Sequence, residues 1–269
     1  MKYFTGCTAL ITGVTAGIGE EFARQLARDA KTVILVARRT DRLESLEREL
    51  LRLNPELSVH YRSVDLADEA QIDALTHWLY TSGLKVNVLI NNAGLGDHGN
   101  FAEADWEKLK RIIDVNITAL TKLTYAMLPM LHQSPRGAII NISSIASLLP
   151  IPNTAVYAAS KAYVTSLTEA VRAELRGTGI SVTTVCPGPV DTEFGMVAER
   201  KGTVRAGPPA ALRIPASQVA YESLLAAAND RARVVPGLRV AIVMAILCAL
   251  PMFIMRLLLN KAARMEKKV

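Results

Sequence analysis

The chain has 269 residues, of which 50% are hydrophobic and 21% charged, and its mean hydropathy is +0.22. This composition excludes a disordered chain and a small disulfide scaffold, and it can fill a large core in one or two domains. The net charge of +6 favours an anionic partner, but an aromatic fraction of 5% argues against surfaces that stack on nucleic-acid bases. We therefore expect no nucleic-acid partner.

The cysteines and histidines indicate the compartment and the absence of a metal centre. Cys7, Cys186 and Cys248 form no CxxC pair, and the four histidines lack the spacing of metal ligands. The chain before the first apolar run is too short for a signal peptide. We expect reduced thiols, a cytoplasmic location and no metal site.

Seven short runs rich in β-branched residues predict strands. They are Cys7–Thr12, Thr32–Ala37, Ser58–Val64, Val86–Asn91, Ala138–Ser143, Ile180–Cys186 and Arg233–Val235. The segments between them are long enough for helices: Glu20–Ala30, Asp41–Leu53, Glu69–Tyr80, Trp106–Leu131, Thr154–Arg176 and Ser217–Ala228. This alternation predicts a doubly wound α/β fold with a seven-stranded parallel sheet. Gly188–Pro215, rich in Gly and Pro, is predicted to be a long loop of functional importance.

Residues 12–19, which read TGVTAGIG, lie between the first strand and the first helix. Glycines at this point let the backbone approach a pyrophosphate at the helix N-terminus, although a plain tight turn has the same composition. The second strand ends in Arg38 and Arg39, where a dinucleotide fold reads the adenosine ribose and arginine favours the phosphate of NADP. The alternative is a pair of surface arginines that open a helix.

Tyr157 and Lys161 are four residues apart and therefore share one face of a predicted helix. A phenol needs a nearby cation to act as an acid or base at neutral pH, but such pairs are also common on helix surfaces. Asn116 falls on the apolar face of its helix, as a buried structural amide or as part of a polar relay. Ser144 follows the fifth strand at the edge where doubly wound sheets bind ligands, although serines also end strands for no chemical reason.

Taken in order, these motifs resemble the short-chain dehydrogenase/reductase family. The resemblance covers about residues 5–237 and includes residues 91–94, which read NNAG, and Pro187-Gly188. Ser144 stands thirteen places before Tyr157, as that family usually has it. The compact, single-domain branch fits best. The resemblance implies a Rossmann-type dinucleotide-binding and catalytic domain over residues 1–237.

The resemblance also implies a role for each motif residue. Tyr157 is expected to donate or accept the proton, Ser144 to hold the substrate oxygen, and Lys161 to lower the tyrosine pKa and bind the nicotinamide ribose. Asn116 is expected to hold a water of the proton relay. Asp65 is expected to contact the adenine. The full set implied for NADP binding is Gly13, Thr15, Gly17, Ile18, Gly19, Arg38, Asp65, Asn92, Ala93, Gly94, Tyr157, Lys161, Pro187, Gly188, Val190 and Thr192.

The expected function is NADP-dependent interconversion of a carbonyl and an alcohol. The segments expected to face the substrate are apolar, which favours a hydrophobic or lipid-like compound; they contain Leu95, Ile145, Leu148, Leu149, Phe194 and Met196. The alternative is a non-catalytic NADP-binding regulator that senses redox state, but the intact catalytic residues favour an enzyme. Trp106–Leu131 and Thr154–Arg176 are the family's usual dimer faces, so we expect a homodimer or homotetramer.

Residues 238–269 form a C-terminal extension that the family pattern does not explain. Val240–Met255 carries no charge, is short for a membrane span and contains Pro251. Four basic residues follow it: Lys261, Arg264, Lys267 and Lys268. We expect this segment to attach to a membrane surface, with coverage of the pocket or a subunit contact as alternatives.

Overall fold

The computed structural model describes residues 2–200, 210–251 and 253–257. Within them, seven strands form one sheet in the order β3-β2-β1-β4-β5-β6-β7, and every neighbouring pair is parallel. The strands are β1 (Thr8–Thr12), β2 (Thr32–Ala37), β3 (Ser58–Ser63), β4 (Val88–Asn91), β5 (Gly137–Ile142), β6 (Ile180–Val185) and β7 (Arg233–Val234). The predicted fold class is confirmed.

Helices cover both faces of the sheet. They are α1 (Gly17–Leu26), α2 (Thr40–Leu53), α3 (Glu69–Thr81), α4 (Trp106–Ile113), α5 (Leu120–His132), α6 (Ala155–Glu174), α7 (Glu193–Ala198), α8 (Ala216–Ala228) and α9 (Leu238–Ala249). Successive strand residues point to opposite faces, so Ile11 joins the core beneath α1, α2 and α8, whereas Leu10 joins the core beneath α3 and α5. All residues of β2, β5 and β6 are buried, as expected of strands covered on both faces.

The predicted continuous helix Trp106–Leu131 is wrong at its centre. A π-helical turn, Asp114–Ala119, separates α4 from α5. The buried side chain of Asn116 lies in this turn and hydrogen-bonds to the backbone of Leu95 and to Ser160. A π-helical turn inserts one extra residue into a helix, and the spacing of apolar residues in the sequence does not reveal such an insertion. Turns of this kind are frequent at functional sites.

The last third of the chain departs from the prediction in two places. The predicted loop Gly188–Pro215 contains the short helix α7, and residues 201–209 lie outside the described part. Helix α9 covers the start of the C-terminal extension, whereas the basic residues from Lys261 onward are not among those described. In the described residues, no helix has the length and apolar character needed to cross a membrane. The division of the chain at residue 237 stays a prediction.

Candidate active site

The glycine-rich turn between β1 and α1 is closely packed against the end of β4. Gly13 has φ +70°, and a Cβ there would lie 2.7 Å from the Cα of Ala93. The Asn92 side chain donates hydrogen bonds to the carbonyl groups of Thr12 and Gly13, at 2.9 and 3.0 Å. A Cβ at Gly19 would lie 2.3 Å from the Gly13 carbonyl oxygen. The turn therefore presents bare backbone at the carboxyl edge of the sheet.

Helix α1 begins at Gly17, and its N-cap residue, Ala16, provides no side-chain hydrogen bond. The first N–H groups of a helix have no partner within the helix, and here no capping side chain supplies one. Such a terminus attracts an anionic group such as a pyrophosphate. The partly buried side chain of Ile18 packs against the core and anchors this first turn.

A pocket at the same edge joins segments that are far apart in sequence. Its walls come from the turn after β1, the end of β2, the residues after β3 and the residues after β4. They are Gly13, Ala37, Arg38, Val64, Asp65, Leu66, Ala93, Gly94, Leu95 and Val115. Five of the predicted cofactor residues thus line one pocket. Asp65 also pairs with Arg111 of α4, at 2.9 Å.

Arg39 and Arg42 form an ionic cluster that the sequence did not indicate. Arg39 donates to the carbonyl oxygen of Thr15 at 2.9 Å and pairs with Glu193 at 2.9 Å. Arg42 pairs with the other oxygen of Glu193 at 2.8 Å. Thr15, a predicted cofactor residue, is therefore in direct contact with Arg39. No local signal in the sequence links Glu193 to these arginines, because more than 150 positions separate them.

Lys161 is buried beside Tyr157 on α6. Its Nζ donates to the carbonyl oxygen of Ile142 at 2.8 Å and lies 5.9 Å from the centre of the Tyr157 ring. Burial lowers the pKa of Lys161 to about 8. A Cβ at Gly94 would lie 3.2 Å from Nζ, so the lack of a side chain at Gly94 leaves room beside the ammonium group.

Asn116 fixes the loop after β4 next to Lys161. Its Nδ2 donates to the Leu95 carbonyl and to the Ser160 hydroxyl, both at 2.9 Å, and its Oδ1 accepts from the Leu95 N–H at 2.8 Å. Both amide hydrogens are thereby used, so the group can offer only acceptor capacity to a water. Ser160, the hydroxyl partner on α6, was missed because nothing in its spacing distinguishes it.

Ser144 caps the short 3-10 turn Ile145–Ser147, and its Oγ accepts from the Ala146 N–H at 3.1 Å. A hydroxyl that accepts in this way still has its own hydrogen to donate. This turn packs against α6 and is held to the end of β6 by a hydrogen bond from the Ile145 N–H to the Pro187 carbonyl. Ser144 and Tyr157 are therefore carried by elements that are in contact.

The segment after β6 covers the site. A Cβ at Gly17 would lie 2.6 Å from the Thr192 methyl group, and one at Gly188 would lie 2.9 Å from Val240. Val190 forms an isolated β-bridge with Ile214. Thr192 caps α7, and the Phe194 ring of that helix lies 5.6 Å from the Tyr157 ring. Thr192 thus meets the glycine turn, and Phe194 meets the tyrosine.

A second pocket lies beside Tyr157. It is lined by Asp97, Gly99, Phe101, Leu109, Asn153, Thr154, Ala155, Val156, Tyr157 and Arg200. Arg200 is the charged group that could attract an anionic substrate, but its guanidinium forms an ion pair with the buried Asp97. Lys108 pairs with the same carboxylate at 3.1 Å. Both cations are thus engaged by one acid.

The arrangement fits a nicotinamide dinucleotide. The glycine turn, the uncapped start of α1 and the pocket that includes Arg38 and Asp65 suit a pyrophosphate and an adenosine, and they lead toward Lys161 and Tyr157. Fold and site together define a dinucleotide-dependent oxidoreductase of the Rossmann type.

Comparison with known proteins identifies the family. The family model described as short chain dehydrogenase matches residues 7–202. Sulfoacetaldehyde reductase 2 of Chromohalobacter salexigens is 39% identical over 193 residues, which are 70% of this chain and 74% of that protein. The chain belongs to the short-chain dehydrogenase/reductase family, whose members bind nicotinamide cofactors, act on small molecules and are commonly oligomeric.

Solved structures agree with this assignment. A short-chain dehydrogenase from Sphingobium yanoikuyae in complex with NADPH has a TM-score of 0.78 and 32% identity, covering 87% of this chain and 89% of that one. The bulky-bulky ketone specific alcohol dehydrogenase from Comamonas testosteroni has a TM-score of 0.75 and 27% identity, covering 87% and 88%.

Proposed function

We propose that this protein is an NADP(H)-dependent oxidoreductase that interconverts a carbonyl and an alcohol on a bulky, apolar substrate. The observation that carries the proposal is the buried ammonium group of Lys161 beside the Tyr157 ring. Burying an amine is costly, and among the described residues no carboxylate pairs with Lys161, so its position suits a site that uses its charge.

The proposed chemistry assigns proton transfer to the protein. A nicotinamide cofactor held at the glycine turn would supply the hydride-transfer chemistry at the substrate carbon, in either direction. In reduction, the Ser144 hydroxyl donates a hydrogen bond to the substrate oxygen, and Tyr157 gives its phenolic proton to that oxygen. The resulting phenolate is stabilised by Lys161. Asn116 positions the loop after β4 and, through its oxygen, a water that returns the proton.

The preference for NADP rests on arginines near the end of β2. Arg38 is exposed at the pocket that also contains Asp65, and Arg39 lies against Thr15 of the glycine turn. Guanidinium groups bind phosphate in bidentate fashion. The NADPH in the Sphingobium yanoikuyae structure supports this cofactor.

The preference for an apolar substrate rests on the residues around Tyr157. Phe194 contacts the tyrosine ring, Met196 is 71% exposed on the same helix, and the nearby cation Arg200 is engaged by Asp97. The relative named for bulky ketones supports this class. The relative named for sulfoacetaldehyde suggests a small anionic substrate, but an arginine already paired with an acid attracts a sulfonate weakly.

The assembly and compartment are part of the same proposal. Helices α4, α5 and α6, the family's usual dimer faces, carry the exposed aromatic side chains of Trp106, Tyr125 and Tyr163, which suits a homodimer or homotetramer. Cys7, Cys186 and Cys248 are unpaired, which suits the reducing cytoplasm.

The deciding experiment is a substrate screen with the purified protein. NADPH consumption is followed with aliphatic, aromatic, steroid and acyl carbonyl compounds, and with sulfoacetaldehyde as the anionic contrast. Turnover of apolar ketones is the expected result. NADPH binding with no turnover of any class would favour a non-catalytic regulator that senses redox state, and selective turnover of sulfoacetaldehyde would overturn the substrate class.

A further inference from the structure

Helix α9 presents a stripe of apolar side chains to solvent. Leu238, Ile242 and Ile246 are spaced four residues apart, and they are 76%, 51% and 60% exposed. Side chains at this spacing lie on one face of a helix. Phe253 and Leu257, which follow the helix, are 65% and 67% exposed. Scattered exposed apolar residues are ordinary, but a continuous stripe marks an interaction surface.

The opposite side of α9 fixes the helix to the protein body. Val240 and Met244 are buried, and Val240 packs against Gly188. Gly188 follows β6 at the carboxyl edge of the sheet, in the segment that leads through Val190 to Thr192. The exposed stripe is therefore carried at the same edge of the sheet as the site.

The excess of basic over acidic residues lies in this region of the chain. Residues 231–269 contain eight Lys or Arg and one acidic residue, Glu266, whereas the whole chain contains 31 basic and 25 acidic residues. The first 230 residues thus have 23 basic and 24 acidic side chains and a net charge of −1. The chain's entire positive excess lies in the same stretch as the exposed apolar helix.

We propose that α9 is a docking surface for an anionic lipid bilayer. Apolar side chains on an exposed helix next to clustered lysines and arginines form the combination that binds the interface of acidic membranes. The helix has 12 residues and is about 18 Å long at 1.5 Å per residue. It is too short for a hydrocarbon core of about 30 Å, so it lies in the membrane surface and does not cross it.

Charge decides between the bilayer and a second copy of this chain. A symmetric contact through α9 would bring together two C-terminal extensions, residues 238–269, each with six basic residues and one acidic residue, a net charge of +5 in sequence, and like charges oppose such an interface. An acidic lipid surface attracts the same segment. An anionic bilayer can therefore bury the apolar stripe and also attract the basic residues.

Docking would also influence how the substrate reaches the site, and this part of the inference rests on the proposed function. Val240 links the docked helix to Gly188. A bulky apolar ketone concentrates in the bilayer, so an enzyme held with this edge near the lipid meets its substrate there. Membrane-dissolved ketones are then expected to be reduced faster by the docked enzyme than by a non-docking variant.

The first experiment measures co-sedimentation of the full-length protein with vesicles. Phosphatidylcholine vesicles are compared with vesicles that also contain phosphatidylglycerol, at low and high salt. We expect binding to the anionic vesicles, weakened by salt. The double variant Ile242→Asn/Ile246→Asn should weaken binding by about tenfold or more, because two apolar anchors are lost. Leu53→Asn, at a 51% exposed position on α2, is the matched control and should bind normally.

A second measurement uses the exposed thiol on α9. Cys7 and Cys186 are buried, whereas Cys248 is exposed, so a polarity-sensitive fluorophore attaches selectively there. Its emission should shift to the blue with anionic vesicles and remain unchanged with phosphatidylcholine alone. The same label at Leu53→Cys, in a Cys248→Ser background, should not respond.

Measurements of oligomeric mass and of activity on a soluble substrate distinguish failure of the docking proposal from failure of the proposed function. The docking proposal is overturned if the full-length protein stays in the supernatant with anionic vesicles at low salt. It is also overturned if Ile242→Asn/Ile246→Asn lowers the oligomeric mass while the parent protein binds no vesicles, since a second copy then covers the stripe. Reduction of a water-soluble ketone without vesicles tests the proposed function separately, because Ile242 and Ile246 are not among the residues assigned to that chemistry.

Discussion

Glu193 at the start of α7 forms an ion pair with Arg39 after β2, with 2.9 Å between the carboxylate oxygen and the guanidinium nitrogen. Its second oxygen pairs with Arg42 at 2.8 Å. The segment that covers the site is thereby tied to Arg39, one of the two arginines on which the proposed preference for NADP rests, and to its neighbour Arg42. A carboxylate and a phosphate compete for the same guanidinium groups.

Glu193→Gln should therefore tighten NADPH binding severalfold and leave NADH binding nearly unchanged. The effect is modest because the ion pairs are partly exposed to solvent. Fluorescence titration of both cofactors measures it. Asp191→Asn removes the same charge two residues earlier, where the partner is Arg213, and should change neither affinity. Weaker NADPH binding in Glu193→Gln would show instead that Glu193 helps to retain the cofactor.

Arg38→Asp should reverse or abolish the preference for NADPH. A charged hydrogen bond contributes about 1.5–3 kcal/mol, so the ratio of kcat/KM for NADPH over NADH should fall by about 10- to 100-fold. Steady-state kinetics with each cofactor provide the measurement. Arg52→Asp makes the same charge change at an exposed position near the end of α2 and should leave the ratio intact. An unchanged ratio in Arg38→Asp would reject the assignment of Arg38.

Tyr157→Phe should lower turnover by about two to four orders of magnitude, the usual contribution of general acid–base catalysis. NADPH affinity should remain close to that of the parent protein, because the ring is retained. Tyr163→Phe is the control on the same helix: it removes a hydroxyl that is 3.1 Å from Thr121 Oγ1 and should retain activity. Full turnover in Tyr157→Phe would contradict the catalytic role.

Most of the fold could be predicted from the sequence because its signals are local. The β-branched runs of β2 and β5, and the helical periodicity between strands, are fixed by burial on both faces of a parallel sheet. The candidate site could be predicted for a related reason: its glycines, Tyr157 and Lys161 lie at fixed spacings within single turns or helices. Their roles in binding and catalysis stay predictions until the variants are measured.

What could not be predicted depends on contacts between distant segments. The π-helical turn at Asn116 accompanies hydrogen bonds to Leu95 and to Ser160, which is 44 residues away. The ion pairs of Glu193 join α7 to the region after β2. Hydrophobic periodicity carries no information about either, since each involves polar atoms that meet only when the sheet has formed.

Lys161→Met should change the pH dependence of stability. Burial lowers the pKa of Lys161 from its ordinary 10.5 to about 8, so between these values the unfolded chain holds the proton more often than the folded protein. Stability therefore rises with pH across this window, and below it the cost of the buried charge is present in full. As the pH rises through this window, the free energy of unfolding of the wild type should increase relative to that of Lys161→Met by on the order of 3 kcal/mol. Denaturant unfolding of both proteins at several pH values measures this gain, and parallel curves would contradict it.

Gly13→Ala tests the close contact between the glycine turn and β4. The new Cβ would lie 2.7 Å from the Ala93 Cα, which is backbone and cannot swing away, and φ +70° adds strain. We expect loss of measurable NADPH binding and a clear decrease in Tm. Fluorescence titration measures the binding, and thermal unfolding measures the Tm. Gly83→Ala is the matched control, because Gly83 has φ +73° and nothing within 4 Å of the added Cβ. That variant should show only the backbone strain, about 1 kcal/mol or slightly more, with normal NADPH affinity. If Gly13→Ala bound NADPH as well as Gly83→Ala, the turn at Gly13 would not be the part of the protein that receives the cofactor.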